Sequence, residues 1–310
     1  MHMNITVKQI EYKSSATGNT IFGWIYIPAE QACAAVQIVH GMSEHMERYH
    51  ELMRFLAQNG YVACGIDQLG HGRSAPDEEH LGFFAEQDGW KRLIDDQHKF
   101  ARIVHAEAPG LRTVLLGHSM GSFVSRIYAS KYSQQLEGLV LCGTGRGDPR
   151  LGFALAAARR SIRKNGPLYR DRSLHKLVFG HYNDRFQPVR TGGEWLSRDE
   201  ASVMRYSDDA RCGFTFTAAG FHDLFMLVRE SNSAACFESV RKDLPVLILS
   251  GAMDPVGEFG KGPQTVCRRY RKAGLENVQI KLYEGARHEI LGELNRGQVW
   301  SDLLTWLRPF

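Results

Sequence analysis

The sequence predicts an α/β fold with a mostly parallel sheet flanked by helices. Short apolar, β-branched segments alternate along most of the 310 residues with longer segments whose apolar residues recur at helical spacing. This alternation is typical of βαβ units, whose crossover helices cover the faces of the sheet. It stops between about residues 146 and 240 and then resumes. The pattern therefore predicts a sheet core interrupted by one insertion over one end of the sheet.

Composition and charge fit a soluble globular protein. Hydrophobic residues make up 43% of the chain and charged residues 23%, which is too apolar a composition for a disordered protein. No apolar run reaches the roughly 18 residues that span a bilayer. The net charge of +4 is too small to indicate a nucleic-acid partner.

The six cysteines predict free thiols. They show no CxxC spacing, so neither a zinc site nor a thioredoxin-like redox motif is indicated. The first fifteen residues have no apolar segment of the kind found in a secretory leader. We therefore expect reduced thiols, no metal and a cytoplasmic location.

The elements before residue 146 follow one another without long loops. A Gly18-Asn19 turn between Thr6–Lys13 and Thr20–Ile27 predicts an antiparallel hairpin. Buried strands are predicted at Ala34–His40, Tyr61–Asp67, Thr113–Gly117 and Gly138–Cys142, with helices over Arg48–Asn59, from Trp90 to before Pro109, and over Met120–Lys131.

The pattern resumes after the insertion with strands at Pro245–Ser250 and Val278–Tyr283 and a final helix near Asn295–Leu307. We thus expect residues 1–145 and 241–310 to form the core and residues 146–240 the insertion. Residues 150–190 hold ten basic residues against two acidic ones. This basic segment is either a solvated helix face or a surface that faces anionic substrates or lipid headgroups.

The strongest local signal is Gly117-His118-Ser119-Met120-Gly121, a G-x-S-x-G pattern. Apolar strand residues precede it and a helical pattern follows, which places it at a strand-to-helix turn. Such a turn holds the serine hydroxyl clear of the backbone, and its glycines let the strand and helix approach closely. The pattern predicts Ser119 as a nucleophile.

A serine nucleophile needs a general base and an acid that orients the base, and in this arrangement the acid precedes the histidine in the chain. Asp254 follows one predicted strand and His288 follows the next, so both project from carboxyl ends of strands. We predict Asp254 as the acid and His288 as the base. Asp148 stays open as an alternative acid. His118, beside the nucleophile, is expected to point away from it.

An oxyanion hole needs two convergent backbone N–H groups. Met120, which follows the nucleophile, is expected to supply one, and Met42, in the loop after the third strand, the other. Asp67 lies in another glycine-rich turn, DQLGHGRS. We interpret it as structural, accepting hydrogen bonds from the turn backbone.

The motifs HGMSEHMERY, DQLGHGRS, GHSMGS, SGAMDPVG and GARHEIL occur in this order. With them the sequence resembles serine-dependent α/β-hydrolases of the monoacylglycerol lipase and lysophospholipase branch, which are serine aminopeptidase S33-like. The resemblance implies an α/β-hydrolase fold with an eight-stranded sheet and a helical cap at residues 146–240. It also implies a Ser119–Asp254–His288 triad with Met42 and Met120 as oxyanion donors. The cap segment NDRFQPVRTGGEWLSRD is similar to bacterial members described as lysophospholipases.

The resemblance further implies hydrolysis of monoacylglycerol or lysophospholipid esters through an acyl-enzyme. We predict a preference for short to medium acyl chains. No cofactor and no metal are required, and peripheral membrane contact through the basic cap stays open as one interpretation. One alternative is a small-molecule carboxylesterase. Another is a proline iminopeptidase-type aminopeptidase, in which Glu194, Glu200 or Asp223 would hold the free amino terminus. A third is a non-hydrolytic binding protein on the same fold.

The cap also contains an aromatic segment at residues 212–225, with Phe214, Phe216, Phe221 and Phe225. These rings either pack the cap against the core or line an apolar tunnel for an acyl chain.

Overall fold

The computed structural model describes residues 4–14 and 18–310. The strands are β1 (Ile5–Lys13), β2 (Thr20–Pro28), β3 (Ala35–Val39), β4 (Val62–Ile66), β5 (Thr113–His118), β6 (Gly138–Cys142), β7 (Val246–Gly251) and β8 (Val278–Tyr283). The helices are α1 (His50–Gln58), α2 (Gly89–Glu107), α3 (Met120–Tyr132), α4 (Leu151–Asn165), α5 (Arg172–Phe179), α6 (Glu200–Asp208), α7 (Ala218–Ser231), α8 (Ala234–Glu238), α9 (Lys261–Lys272) and α10 (Arg296–Leu307). Residues 1–3 and 15, part of the segment in which no leader is expected, lie outside the described residues.

Within the described residues, eight strands form one sheet in the order β1-β2-β4-β3-β5-β6-β7-β8. β2 runs antiparallel to both of its neighbours, and the remaining pairs are parallel. The predicted mostly parallel sheet and its amino-terminal hairpin are therefore confirmed. Strand ends differ from the predicted ends by at most one residue, because short apolar runs bounded by polar turns mark the central strands clearly.

Helices cover both faces of the sheet. Along β5, Leu115 packs into one hydrophobic layer with residues of α2, α3 and α9. Its neighbours Val114 and Leu116 point the other way, into a layer with α1 and α10. Because side chains alternate along a strand, an unbroken apolar run serves both layers, as expected for a parallel sheet buried on both faces.

Helices α4 to α8 lie between β6 and β7 in the chain. Among them, α7 packs on both α4 and α3, so one helix joins the inserted segment to the core. The residue boundaries 146 and 240 stay a prediction. No helix in the described part of the chain is both long and apolar enough to cross a bilayer. All six cysteines are free thiols, as predicted.

We expect the replacement Gly121→Ala to destabilise the fold. Gly121 lies in the first turn of α3, and an added β-carbon would sit 2.1 Å from the Val39 carbonyl oxygen and 2.5 Å from that of His40. Since these are backbone atoms of β3 and its loop, the strand or the helix must move. Overpacking of this kind costs about 2 kcal/mol of the free energy of unfolding, which urea denaturation followed by circular dichroism measures.

Gly152→Ala is the matched control. Gly152 lies within α4, and nothing comes within 4 Å of a β-carbon added there. Alanine is about 1 kcal/mol more favourable than glycine inside a helix, so this variant should match or exceed the stability of the parent protein. Equal losses in the two variants would contradict the close contact between α3 and β3.

Candidate active site

The predicted site residues meet at one edge of the sheet. Ser119 directly follows β5, and Met42 lies in the loop after β3. Asp254 and His288 lie in the loops after β7 and β8. Since β3, β5, β7 and β8 run in the same direction, their carboxyl ends share one edge, where open α/β sheets place their sites.

Ser119 stands at a sharp turn between β5 and α3. Its backbone has φ 52° and ψ −121°, a conformation that costs a residue with a side chain about 1–3 kcal/mol. The Ser119 amide donates to the Cys142 carbonyl on β6 at 3.0 Å, and the Ser122 amide donates to the Ser119 carbonyl at 2.8 Å. The turn also needs glycine at position 117, where a β-carbon would lie 2.4 Å from the Gly121 carbonyl oxygen.

His288 and Asp254 form a buried pair. The His288 Nδ1 atom lies 3.0 Å from Asp254 Oδ2, and neither side chain is more than 2% exposed. The other carboxylate oxygen of Asp254 accepts from the Val256 amide at 2.8 Å. With its hydrogen on Nδ1, the imidazole would present Nε2 as a base.

The alternative acid, Asp148, has other partners. Its carboxylate accepts from the backbone amide of Arg150 at 2.7 Å and from the guanidinium of the same residue at 2.8 Å. Among the described residues, no hydrogen bond or ion pair joins Asp148 to His288. The geometry thus favours Asp254 as the partner of the histidine.

Two backbone amides near Ser119 are free to bind an anion. Neither the Met42 nor the Met120 amide has a hydrogen-bond acceptor among the described residues, and both residues line the same cavity as Ser119. Met120 is also the first residue of α3, where the helix dipole favours negative charge.

A buried carboxylate, Glu44, organises the loop after β3. Its side chain accepts from the Gly41 amide at 2.6 Å, from the Tyr49 hydroxyl at 2.8 Å and from the Arg48 guanidinium at 2.6 Å. It also lies 3.1 Å from His118 Nδ1. Burial alone would raise the pKa of Glu44, but the hydrogen bond with His118 and the charge of Arg48 lower it well below its usual value.

Arg48 links this loop to the loop that carries His288. Its guanidinium donates two hydrogen bonds, each 2.7 Å long, to the two carboxylate oxygens of Glu289. Such paired contacts fix geometry as well as charge. The segments that hold Met42 and His288 are therefore joined through one arginine between two carboxylates.

His118 does not point away from the site, so that prediction is wrong. Its ring centroid lies 4.9 Å from that of His288. The alternation rule used for the prediction holds within a strand, and it fails here because Ser119 already belongs to the turn. Burial lowers the pKa of His118, but the hydrogen bond with Glu44 and the negative charges of Glu44 and Glu289 together outweigh burial and raise the pKa.

Trp195, in the inserted segment, reaches the same histidine. Its indole lies 5.1 Å from the His288 imidazole, centroid to centroid. Its carbonyl accepts from the His288 amide at 3.4 Å, and the Leu196 carbonyl accepts from the Glu289 amide at 2.7 Å. Residue patterns did not identify Trp195 as part of the site, although it lies within the segment NDRFQPVRTGGEWLSRD that carries part of the family resemblance.

Ser119, His288 and Trp195 line a cavity of ≈ 430 Å³, a volume within the usual range for small-molecule sites. Besides the site residues, its lining includes apolar side chains from the inserted helices, such as Leu151, Val178 and Phe225. In the aromatic segment, Phe216 and Phe221 are fully buried in the core. The packing interpretation therefore holds for these two rings, whereas Phe225, at the end of the segment, lines the cavity together with Leu224.

Asp67 has the structural role that was predicted. Its carboxylate accepts from the amides of Met46 and Arg73, both at 2.8 Å. These contacts join the turn after β4 to the segment that leads into α1.

Several known proteins that this chain resembles are hydrolases. The family described as serine aminopeptidase, S33, matches residues 30–295. The human monoglyceride lipase is 25% identical over 98% of this chain and 92% of its own length, and the monoacylglycerol lipase of Mycolicibacterium smegmatis is 23% identical over 91% of each. The structure of a thermostable carboxyl esterase from Bacillus coagulans in complex with glycerol matches with a TM-score of 0.92 and 26% identity over 99% of both chains. The predicted α/β-hydrolase fold is confirmed.

We expect Glu44→Gln to lower the free energy of unfolding by about 2 kcal/mol at pH 7, because Arg48 and His118 lose a buried counter-charge. Since the pKa of Glu44 is depressed in the folded state, its contribution is present above the ordinary glutamate pKa of about 4.3 and is lost as the pH falls below it. Urea unfolding at several pH values should show the gap between parent and variant narrowing below about pH 4.

The control is Glu86→Gln, at an exposed carboxylate. It should change the free energy of unfolding by less than about 0.5 kcal/mol at every pH. A gap for Glu44→Gln that stays constant or widens on acidification would contradict the ionised, buried Glu44.

Proposed function

We propose that this chain, which belongs to the serine aminopeptidase S33 family of α/β-hydrolases, cleaves the ester bond of single-chain acyl lipids. The protein is an ester hydrolase, and monoacylglycerols and lysophospholipids are the substrates that we favour. One observation carries the proposal. Ser119 and His288, the latter bonded to buried Asp254, open onto one cavity whose inserted helices present apolar side chains.

In the proposed reaction, Ser119 Oγ attacks the ester carbonyl carbon while its proton moves to His288 Nε2. Asp254 holds the imidazole and offsets its positive charge. The amides of Met42 and Met120 stabilise the oxyanion. His288 then returns the proton to the departing alcohol, and water, activated by the same histidine, releases the acid from Ser119.

The cavity suits a substrate with one chain and a polar end. The inserted helices supply the apolar wall, which fits an acyl chain. Two carboxylates, Glu44 and Glu289, line the same cavity and can accept hydrogen bonds from the hydroxyl groups of a glycerol. The relatives named monoglyceride lipase and monoacylglycerol lipase support this substrate class.

An aminopeptidase is less well supported, because none of its three predicted acids lines the cavity. Glu194 accepts from the amides of Thr191 and Gly192, and Glu200 is exposed on α6. Asp223 is buried beside Gly89, and burial raises the pKa of its carboxyl to about 7.

The carboxylates that do line the cavity are already matched by arginines. Arg48 pairs with Glu44 and with Glu289. At the mouth, Arg146 pairs with Glu258, and Arg150 pairs with Asp148. A substrate ammonium group would have to displace one of these partners.

We further propose that residues 146–240 form a cap whose outer face contacts membranes. On α4 the Phe153 side chain is 69% exposed, and Arg160 and Arg163 are exposed on the same helix. A basic surface with an exposed aromatic ring suits an anionic lipid surface. The six free thiols support a reducing compartment such as the cytoplasm.

A substrate series separates the remaining alternatives. It contains p-nitrophenyl esters from acetate to palmitate, monoacylglycerols, lysophosphatidylcholine and proline amides. Hydrolysis of monoacylglycerol or lysophospholipid supports the proposed lipid substrate. The acyl-chain length that is cleaved fastest indicates how long a chain the cavity holds. Activity on short synthetic esters alone would favour a small-molecule carboxylesterase, and cleavage of proline amides would favour an aminopeptidase.

We expect Ser119→Ala to reduce kcat for p-nitrophenyl butyrate by about 10⁴-fold or more and to abolish labelling by a fluorophosphonate. The matched control is Ser125→Ala, since the Ser125 hydroxyl is buried in α3 and has no hydrogen-bond partner among the described residues. Its kcat should stay within about twofold of the parent value. Full turnover by Ser119→Ala would exclude the proposed mechanism.

Binding to vesicles that contain phosphatidylglycerol should weaken as salt rises from about 0.05 to about 0.5 M, because salt screens surface charge. Reversing two charges with Arg160→Glu and Arg163→Glu should weaken binding about tenfold or more, at about 1 kcal/mol per charge. Sedimentation with the vesicles measures both effects. Arg268→Glu, on α9 of the core, is the control and should leave binding unchanged. Vesicle binding that does not change with salt concentration would contradict a basic membrane-binding face on the cap. An equal loss of vesicle binding in the cap variant and in the Arg268→Glu control would contradict it as well.

A further inference from the structure

Two other rings pack against the imidazole of His288. His118, at the end of β5, approaches with its centroid at 4.9 Å. Trp195 approaches with its centroid at 5.1 Å and a 37° angle between the planes. Because Trp195 belongs to the inserted segment, that segment touches the proposed base directly as well as lining the cavity.

Trp195 is fixed in place from several sides. Its backbone amide donates to Asn183 Oδ1 at 2.9 Å. Its ring packs on Tyr182 at 4.8 Å and on Phe179 at 6.0 Å. The hydrogen bond from the His288 amide to the Trp195 carbonyl ties its backbone to the residue that its ring contacts. The position of the indole relative to the imidazole is therefore set by both the insertion and the core.

Several ionisable groups and one uncharged aromatic ring surround the imidazole of His288. The ionisable groups around the ring are Asp254 after β7, His118 at the end of β5, Glu44 and Arg48 after β3, Glu289 on its own loop, and Tyr182 from the insertion. Asp254 Oδ2 lies 3.0 Å from Nδ1 of the ring, and the His118 ring lies 4.9 Å away, centroid to centroid. The contacts with Glu44 raise the pKa of His118, and a protonated His118 would repel a positive charge on His288. The indole faces the ring from the inserted segment and carries no charge.

We propose that Trp195 is a positioning residue for the base, its indole face stabilising the imidazolium that His288 becomes during acyl transfer. As the Ser119 Oγ–carbon bond forms, the carbonyl electron pair moves to oxygen and the hydroxyl proton moves to Nε2. The ring then carries a full positive charge within the roughly 6 Å range at which an aromatic face attracts a cation. This inference rests on the proposed function, because it needs His288 to act as the base.

The test compares the parent enzyme with Trp195→Phe and Trp195→Leu. A phenyl face attracts cations less than an indole face, and a leucine side chain offers no aromatic face. We expect kcat for p-nitrophenyl butyrate to fall about twofold in the first variant and about fivefold in the second. The acid limb of the kcat/KM profile should move to lower pH in the same order, by about 0.3 and about 0.7 units, because His288 loses stabilisation of its protonated form.

A pure packing role predicts a different result. It would lower kcat or thermal stability in one or both variants while the acid limb stays at the parent pH. An acid limb that stays in place or moves to higher pH in the folded variants overturns the inference. Trp195→Phe carries this comparison alone if Trp195→Leu does not fold, as judged by circular dichroism.

The same experiment distinguishes a failure of the proposed function from a failure of the proposed role of Trp195. If parent activity does not depend on Ser119, the proposed function fails. If it depends on Ser119 and the Trp195 variants keep the parent pH profile, only the role of Trp195 fails.

Discussion

The site depends on a close approach between β5 and α3. Gly117 and Gly121 leave no room for a β-carbon where the strand turns into the helix, and Ser119 has a strained backbone with positive φ between them. This turn places the serine side chain in the cavity and directs the first amide of α3 toward the same point. The neighbouring strands hold the strained turn, since the Ser119 amide bonds to β6 and Gly121 rests on the end of β3.

Buried charge links the separate loops around that turn. Glu44 binds the backbone beside Met42, and Arg48 connects it to Glu289, the neighbour of His288. The two carboxylates are buried, and a buried charge without an opposite charge beside it is costly. Their pairing with Arg48 therefore keeps the loops that carry these residues in a fixed position. The inserted segment joins the same region, because the backbone at Trp195 and Leu196 accepts hydrogen bonds from His288 and Glu289. In the proposed enzyme the segment that lines the acyl cavity thus also orients the base.

Sequence patterns predicted the sheet, its helices and the positions of Ser119, Asp254 and His288 at one edge, because these features follow from local periodicity and strand order. They did not predict the orientation of His118 or the roles of Glu44 and Trp195. Those depend on contacts between residues far apart in the chain, such as Arg48 with Glu289 and Trp195 with His288. A periodic pattern carries no information about such pairs. The aromatic segment is another example. Its sequence did not indicate which rings are buried and which line the cavity, whereas the structure buries Phe216 in the core and places Phe225 in the cavity wall.

The central claim is that Ser119 carries the acyl group between the two halves of the reaction. The most direct measurement is mass spectrometry of enzyme quenched in acid during turnover of a p-nitrophenyl ester, followed by peptide mapping. In the proposed reaction an acyl group replaces one hydrogen on the peptide that contains Ser119, and the adduct disappears when the substrate is exhausted. Acylation of a different residue would contradict the account. So would an enzyme with His288→Ala that still forms the adduct at the parent rate.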